Sequence, residues 1–440
     1  MSIRAMSFAL FASVLAGTAA AQTGSIAPAY GGEDLAYWQQ RFPAGILNNF
    51  QNVILPRLPP EVAVRLQDVR FDFPLRVEEA EPYAYFTRHG TITMSIASIR
   101  FQDDLAVASA WLNRKGYDPA TVAEYASMLK YGRLGAAPPT PLEALCIPDD
   151  ALDDAEIDAL AQKGLSSTIV FILLHELGHV VHGDKLYSEV TRAEARENEA
   201  DADAFALDGM ALLGDAPLGI VTFFTVAAHM ASGRGDFDSD AAYEEHLRKT
   251  THPVDAARLQ AFAENLVRTA VTYAPTLPGP DGAQQFIDIA EKIAFIAAAL
   301  GDPELQQLTA QVGRQATAES LGPRRPGAKL GRPCGAEAAT DQPFAGLFGG
   351  TIAINGVDFD FSTWMERNGA RVTGEYSYGA GVGRMEGTVD GDRLDYRWFF
   401  GADSGRGVAL LRPNGALEGS WGVGTSAENG GPWRAAPAPQ

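Results

Sequence analysis

Apolar and polar residues alternate most plainly from Tyr83 onward, where Ile92, Met94 and Ile96 interleave with Thr91, Thr93 and Ser95. A period of two places the apolar set on one face of a strand. The segment PYAYFTRHGTITMSIASI therefore predicts two short strands joined by a turn at Arg88, His89 and Gly90. Phe101 to Leu112 changes to a helical spacing, and the Pro- and Ala-rich run from Gly135 to Pro148 predicts a loop or insertion. Ahead of these, Gln22 to Pro60 has no clear period and fits either an extended lead-in or a short helix around Asp34 to Gln40. From Ser166 to about Gly301 the spacing is helical, with breaks at Gly183, near Gly214, at Gly233 to Asp240 and at Thr276 to Gly282.

The pattern then changes class. Thr317 to Pro343 is rich in Gly, Pro and Ala and reads as a linker. Beyond it, Thr351 to Ile354, Val372 to Tyr378, Arg384 to Val389, Leu394 to Phe399, Val408 to Leu411 and Leu417 to Trp421 are strand-like. The pairs Asn355-Gly356, Asn368-Gly369, Asp390-Gly391 and Asn414-Gly415 stand between them, and such pairs turn hairpins. A small antiparallel meander or barrel follows, with Glu386 to Val389 and Glu418 to Trp421 read as equivalent hairpin positions. Gly379, Gly381 and Gly383 lack the following helix that a phosphate loop needs, so a strand connection is expected there. Trp364, Trp398, Trp421 and Trp433 could line a ligand surface, although aromatic core packing is the default.

Composition adjusts this picture at three points. The first residues carry a basic Arg4, an apolar stretch from about Ala5 to Ala16, and Ala19 and Ala21 ahead of Gln22. That is the form of a secretory signal peptide cleaved after Ala21, too short for the roughly 20 residues that span a bilayer. No other stretch approaches spanning length, since the apolar run Ile169 to Leu174 ends in His175 and Glu176, so the mature protein is expected to be exported, periplasmic or secreted, and soluble. The formal charge of −20, from 55 acidic against 35 basic residues, repels phosphate backbones and argues against nucleic acid as a partner. Cys146 and Cys334 could form one bridge in an oxidising compartment, but two cysteines cannot build a zinc site of thiolates.

The chemistry lies in STIVFILLHELGHVVHGD, where His175 and His179 are four residues apart. On a helix that spacing puts both imidazoles on one face, within reach of a single Zn2+, which accepts neutral imidazole in a tetrahedral site. Glu176 is offset around the helix, placed to reach a metal-activated water as general base. Gly178 keeps the surface beside the histidines open for a substrate or a neighbouring backbone. A buried helix with two satisfied histidines is the plain alternative, but such helices rarely carry this set unpaired. A catalytic zinc needs a third protein ligand and an open position. His182 and Lys185 stand where a metzincin would place Gly and His, so that arrangement is excluded. The gluzincin arrangement takes a glutamate from a following helix, four residues before an aspartate that orients a ligand histidine. RENEADADAFALDGM offers Glu197 with Asp201 or Glu199 with Asp203. Facing favours Glu199, because Ala202, Asp203 and Ala206 then share its face; Glu197 remains the alternative.

These blocks resemble a known family. His175 to His179, then Arg196-x-x-Glu199 with Asp201, Asp203 and Phe205, then Thr251-His252-Pro253 with Arg258 six residues after His252, are similar to the zinc endopeptidases that include HtpX and the CAAX-prenyl protease. The resemblance covers about residues 80 to 270 and departs at Asp201, where glutamate is usual, and in the short interval of about 20 residues between His179 and Glu199. Asn113 to Gly164 reads as an insertion relative to that family. The resemblance implies a zinc-dependent endopeptidase acting on protein or peptide substrates, with a strand at Thr91 to Ser98 that binds extended substrate by β-addition. It also invites accessory roles. His252 would stabilise the reacting carbonyl or cap the metal, and Arg258 would tie its loop to the core; equally, His252 caps a helix and Arg258 makes a surface ion pair. His182 is expected to hydrogen-bond locally, and His89, His229 and His246 have no metal spacing.

The whole reads as an α+β chain: a signal peptide at 1–21, a mainly helical zincin-like metallopeptidase domain with a small sheet at 22–316, a linker at 317–343 and an all-β domain at 344–440. The rival class is a non-catalytic zinc-bearing scaffold or binding protein working through its β domain, whose partner the sequence leaves unknown.

Overall fold

A computed structural model describes residues 29–77, 80, 82–132, 137–186, 189–232, 236–249, 254–273, 282–315, 322–323, 343–378, 381–401 and 403–437. The expected signal peptide and all but 322–323 and 343 of the expected linker, Cys334 included, lie outside these residues.

The lead-in is helical. α1 (Gly32–Gln39) and α2 (Phe42–Asn49) continue through a π-helical turn at Phe50–Ile54 and a 3-10 turn into α3 (Pro60–Arg65). Leu35, Ile46, Phe50 and Ile54 are buried, the last three four residues apart, a helical spacing that the flanking Gly and Pro residues obscure in the sequence. A three-stranded sheet follows, from β1 (Arg70–Asp72), β2 (Tyr85–Arg88) and β3 (Thr91–Met94), in the order β1-β3-β2. Here the structure corrects the expected strand of Thr91 to Ser98. β3 ends at Met94, because the Ser95 hydroxyl accepts the Ser98 amide at 3.0 Å and caps α4 (Ile96–Arg114). β3 is also the central strand, parallel to β1 and antiparallel to β2, so its edges are taken and it cannot receive a substrate strand. Among the described residues the edge strand beside the metal helix is β2.

Asn113 to Gly164 packs into the main core. It carries α5 (Ala120–Tyr131) and α6 (Pro141–Ala144), and Val122, Tyr125, Met128 and Leu129 are buried in the main core. α7 (Ala155–His182) begins eleven residues ahead of the expected Ser166, with Asp154 accepting the Glu156 amide at its start. At 28 residues, with an 18-residue window of mean hydropathy 1.5, it is long and apolar enough to cross a membrane, contrary to the expectation that nothing after the leader is. Its place in the fold explains the composition: 78% of that apolar window is buried against the rest of the chain, which packs α4 on one side and α8 (Arg192–Leu213) on another. A helix apolar all round belongs at a core centre.

α9 (Ile220–Met230), α10 (Asp240–Lys249), α11 (Ala256–Tyr273), α12 (Gly282–Gly301) and α13 (Pro303–Gln315) complete the helical part. α11 pairs with α12 and also meets α8, which brings its first turn beside Glu199 and Asp203. Cys146 is disulfide-bonded.

The C-terminal part is a closed barrel of eight antiparallel strands in sequence order: β4 (Gly346–Ile354), β5 (Val357–Asn368), β6 (Arg371–Tyr378), β7 (Gly381–Asp390), β8 (Arg393–Phe400), β9 (Asp403–Leu411), β10 (Leu417–Val423) and β11 (Gly431–Pro437). The first strand pairs with the last, which removes the open edges of a meander. Asn355 and Gly356 both have positive φ, as a two-residue hairpin turn requires. Glu386 to Val389 and Glu418 to Trp421 lie within strands β7 and β10, each paired antiparallel with its sequence neighbours.

Candidate metal centre

α7 presents His175 and His179 to a common point because four residues advance a helix by about one turn. α8 runs alongside at close range: a Cβ on Gly178 would sit 3.1 Å from the Cα of Ala202, so glycine there admits the neighbouring backbone. That approach brings in Glu199, which is 1% exposed, while Glu197 and Asp201 on the same helix face solvent. His175, His179 and Glu199 form a group of potential ligands that could hold a metal ion.

The spacing fits one ion. His175 Nε2 lies 3.2 Å from His179 Nε2 and 3.6 Å from Glu199 Oε2, and His179 Nε2 lies 3.5 Å from Glu199 Oε1. Tetrahedral donors on bonds of zinc length stand about 3.3–3.4 Å apart. Both histidines offer Nε2 inward because each Nδ1 meets a carboxylate: Asp203 at 2.9 Å for His175 and Asp184 at 2.7 Å for His179. Such outer partners fix the ring and its tautomer. Asp203 follows Glu199 by four residues and is visible in the sequence, whereas no sequence pattern marks Asp184. Gly183 takes the left-handed conformation just past α7 and the Asp184 amide bonds back to the His179 carbonyl, which swings the Asp184 side chain under the ring.

Arg258 is buried, not a surface residue. Its Nε and Nη2 each donate to Asp203 at 2.8 Å, and its Nη1 meets Glu199. Asp255 accepts the Arg258 amide at 2.9 Å and pairs with Arg196 at 3.0 Å, anchoring the first turn of α11 to α8. Although burial alone would raise Asp203, the Arg258 guanidinium and His175 hold its carboxyl below the usual range. Burial pushes the His175 imidazole down despite Asp203. Burial also disfavours a charged His179, but Asp184 and Glu199 outweigh it and bring the group up to about 10. His252 lies outside the described residues.

Glu176 is 1% exposed, and the Thr87 hydroxyl on β2 lies 2.9 Å from its Oε2 and 3.2 Å from its backbone carbonyl. Phe171, Phe224 and Phe262 pack edge to face behind His175 and keep that side dry. The remaining histidines are elsewhere. His182 is exposed with its ring against Phe205, His229 Nδ1 meets the Thr225 carbonyl at 2.7 Å, and His89 occupies the β2–β3 turn. His246 lies on α10.

A buried ring of two imidazoles and a carboxylate could hold a metal ion, and a further carboxylate beside it could accept a proton. Residues 138–274 match the model of a family described as Peptidase U49, a span that contains every residue of this cluster. No curated protein and no solved structure matches the chain. The match and the His-His-Glu group support a peptidase, and hence protein or peptide substrates. The family differs in description from the HtpX and CAAX-prenyl proteases that the motifs resemble; peptide hydrolysis is what they share.

Proposed function

We propose that the chain is a zinc-dependent endopeptidase of gluzincin type, acting on exported or envelope proteins. The observation that carries this reading is the group of His175, His179 and Glu199 with Glu176 beside it. Zinc suits two neutral imidazoles and a carboxylate, and when bound it would acidify a water and polarise the scissile carbonyl. Glu176 takes the proton of the attacking water as the C–O bond forms, then passes it to the leaving nitrogen as the C–N bond breaks. Thr87 holds the Glu176 carboxylate in place. Asp203 and Asp184 keep the two imidazoles oriented, and Arg258 balances the charge of Glu199 and Asp203. Strand β2 offers its outer edge to an extended chain next to Glu176.

The exported setting is supported by the leader-like first 21 residues and by the Cys146 disulfide, since such bonds persist in oxidising compartments. Metal analysis paired with cleavage of an unfolded protein tests the reading. The wild type is expected to hold one zinc and cleave, and Glu176→Gln to hold zinc and lose activity by at least about a hundredfold. Stoichiometric zinc with no Glu176-dependent cleavage would instead support the non-catalytic scaffold. Glu199→Ala should lose the metal and Glu197→Ala should keep it.

A further inference from the structure

The barrel has an interior that its own side chains do not fill. Four inward glycines stand directly across a strand pair from an aromatic residue: Gly383 from Tyr376, Gly405 from Trp398, Gly407 from Tyr396 and Gly419 from Trp433. A Cβ at any of the four would strike the facing ring. Each ring therefore lies down over its glycine, against the wall, instead of crossing the barrel axis. Hydrogen bonds fix three of these rings there. Tyr376 donates to the Phe399 carbonyl at 3.3 Å, Tyr396 to the Ser420 carbonyl at 3.2 Å and Trp398 to the Gly422 carbonyl at 2.9 Å. Trp433 donates to the Tyr396 hydroxyl at 2.8 Å, and Trp421, nearer the mouth, to the Ala353 carbonyl at 3.1 Å. What remains on the axis is a cavity of about 50 Å³ walled by Phe361, Met385 and these ring faces.

One end of the barrel is closed by Phe344 and Leu394, both fully buried. The other end is open and apolar. Val357, Phe359 and Val423 share the inward face but rise past the barrel body, and they are 57%, 38% and 57% exposed. Ile354, Tyr378 and Phe400 continue that rim, half-buried. Exposed apolar side chains gathered round the opening of an aromatic cavity mark a binding site more than a surface accident. Eight-stranded barrels are wide enough to hold one small ligand.

We infer that this mouth binds a small uncharged molecule carrying an aromatic ring. The hydroxyls of Tyr376 and Tyr396 and the indole N–H groups of Trp398, Trp421 and Trp433 already donate to protein oxygens, so these walls offer mainly ring faces and edges. Aromatic walls reward an aromatic guest through stacked and edge-to-face contacts. A charged guest would be stripped of water with no partner in the cavity. An anion is disfavoured further, because Asp403 pairs with Phe400 and shares its inward face at the rim. The cavity is about a third of the ~150 Å³ that encloses benzene, so part of the ring sits inside and the rest is covered by the rim.

The test uses the full-length protein, N-phenyl-1-naphthylamine as the neutral probe and 1-anilinonaphthalene-8-sulfonate as its anionic counterpart. The neutral probe should bind saturably at one site and quench tryptophan fluorescence, and the sulfonate should bind at least about tenfold more weakly. Phe359→Ser with Val423→Ser should weaken the neutral probe about tenfold with an unchanged melting temperature, since both residues are exposed. Non-saturable binding, equal affinity for the two probes, or indifference to the rim variant would overturn the inference. Displacement of the probe by an unfolded polypeptide but by no small aryl compound would overturn it in favour of a peptide-docking mouth.

Discussion

Asp184 reaches the His179 ring only because Gly183 turns the chain back at the end of α7. Replacing it by alanine leaves His179 Nδ1 without its carboxylate and frees the ring to rotate. We expect Asp184→Ala to weaken zinc binding by about 10–100-fold, read by competition with a chromogenic chelator, while the circular dichroism spectrum is kept. Unchanged affinity would remove Asp184 from the site. Arg258→Ala is a harsher change, since two buried carboxylates, Glu199 and Asp203, lose their cation together. In metal-free protein it should cost about 3–5 kcal/mol by urea denaturation, and less once zinc is present. The meeting of His175 and His179 was legible from a spacing of four, and the alanine face of α8 pointed to Glu199 over Glu197. Asp184 was not legible, because its role depends on a left-handed residue beside it. Arg258 was undecided, because its burial follows from α11 lying on α8, a contact no local pattern encodes.

At the scale of elements, what the sequence hid was where one period yields to another. The alternation through Ile96 suggested a longer β3, yet Ser95 can serve equally as a strand residue and as a helix cap, and the cap prevails. β5 was legible in principle from Val357, Phe359 and Phe361 against Asp358 and Asp360. β11 was not, since Pro432, Pro437 and two alanines give no strand propensity and only barrel closure holds them. α4 also carries a pH-sensitive tie to the lead-in: Asp104 accepts the Tyr30 hydroxyl at 2.9 Å and meets Arg100. Burial outweighs the pull of Arg100 and raises the Asp104 carboxyl to about 7. A carboxyl raised on folding binds its proton more tightly in the native state. Its contribution to stability is full below the ordinary carboxyl range of about 4 and is lost as pH rises through about 7. The urea midpoint should therefore fall between pH 5 and 8, and Asp104→Asn should flatten that slope. A slope unchanged in the variant would assign it to other groups.

At the scale of the whole molecule, the described residues form two hydrophobic cores, one shared by the helices and the small sheet, the other inside the barrel, with no residue in common. Each core is large enough to unfold cooperatively by itself, so scanning calorimetry should resolve two transitions. The metal centre belongs wholly to the first, because its residues lie on α7, α8 and α11. A ligand that binds only the native state stabilises by mass action, about 4 kcal/mol at a thousandfold excess over its dissociation constant. Chelation should therefore lower the helical transition by about 5–10 °C and leave the barrel transition in place. The neutral aryl probe should do the converse, raising the barrel transition alone. Either ligand shifting both transitions together would mean that the two cores unfold as one unit, and the division into a metal-dependent half and a barrel half would fail.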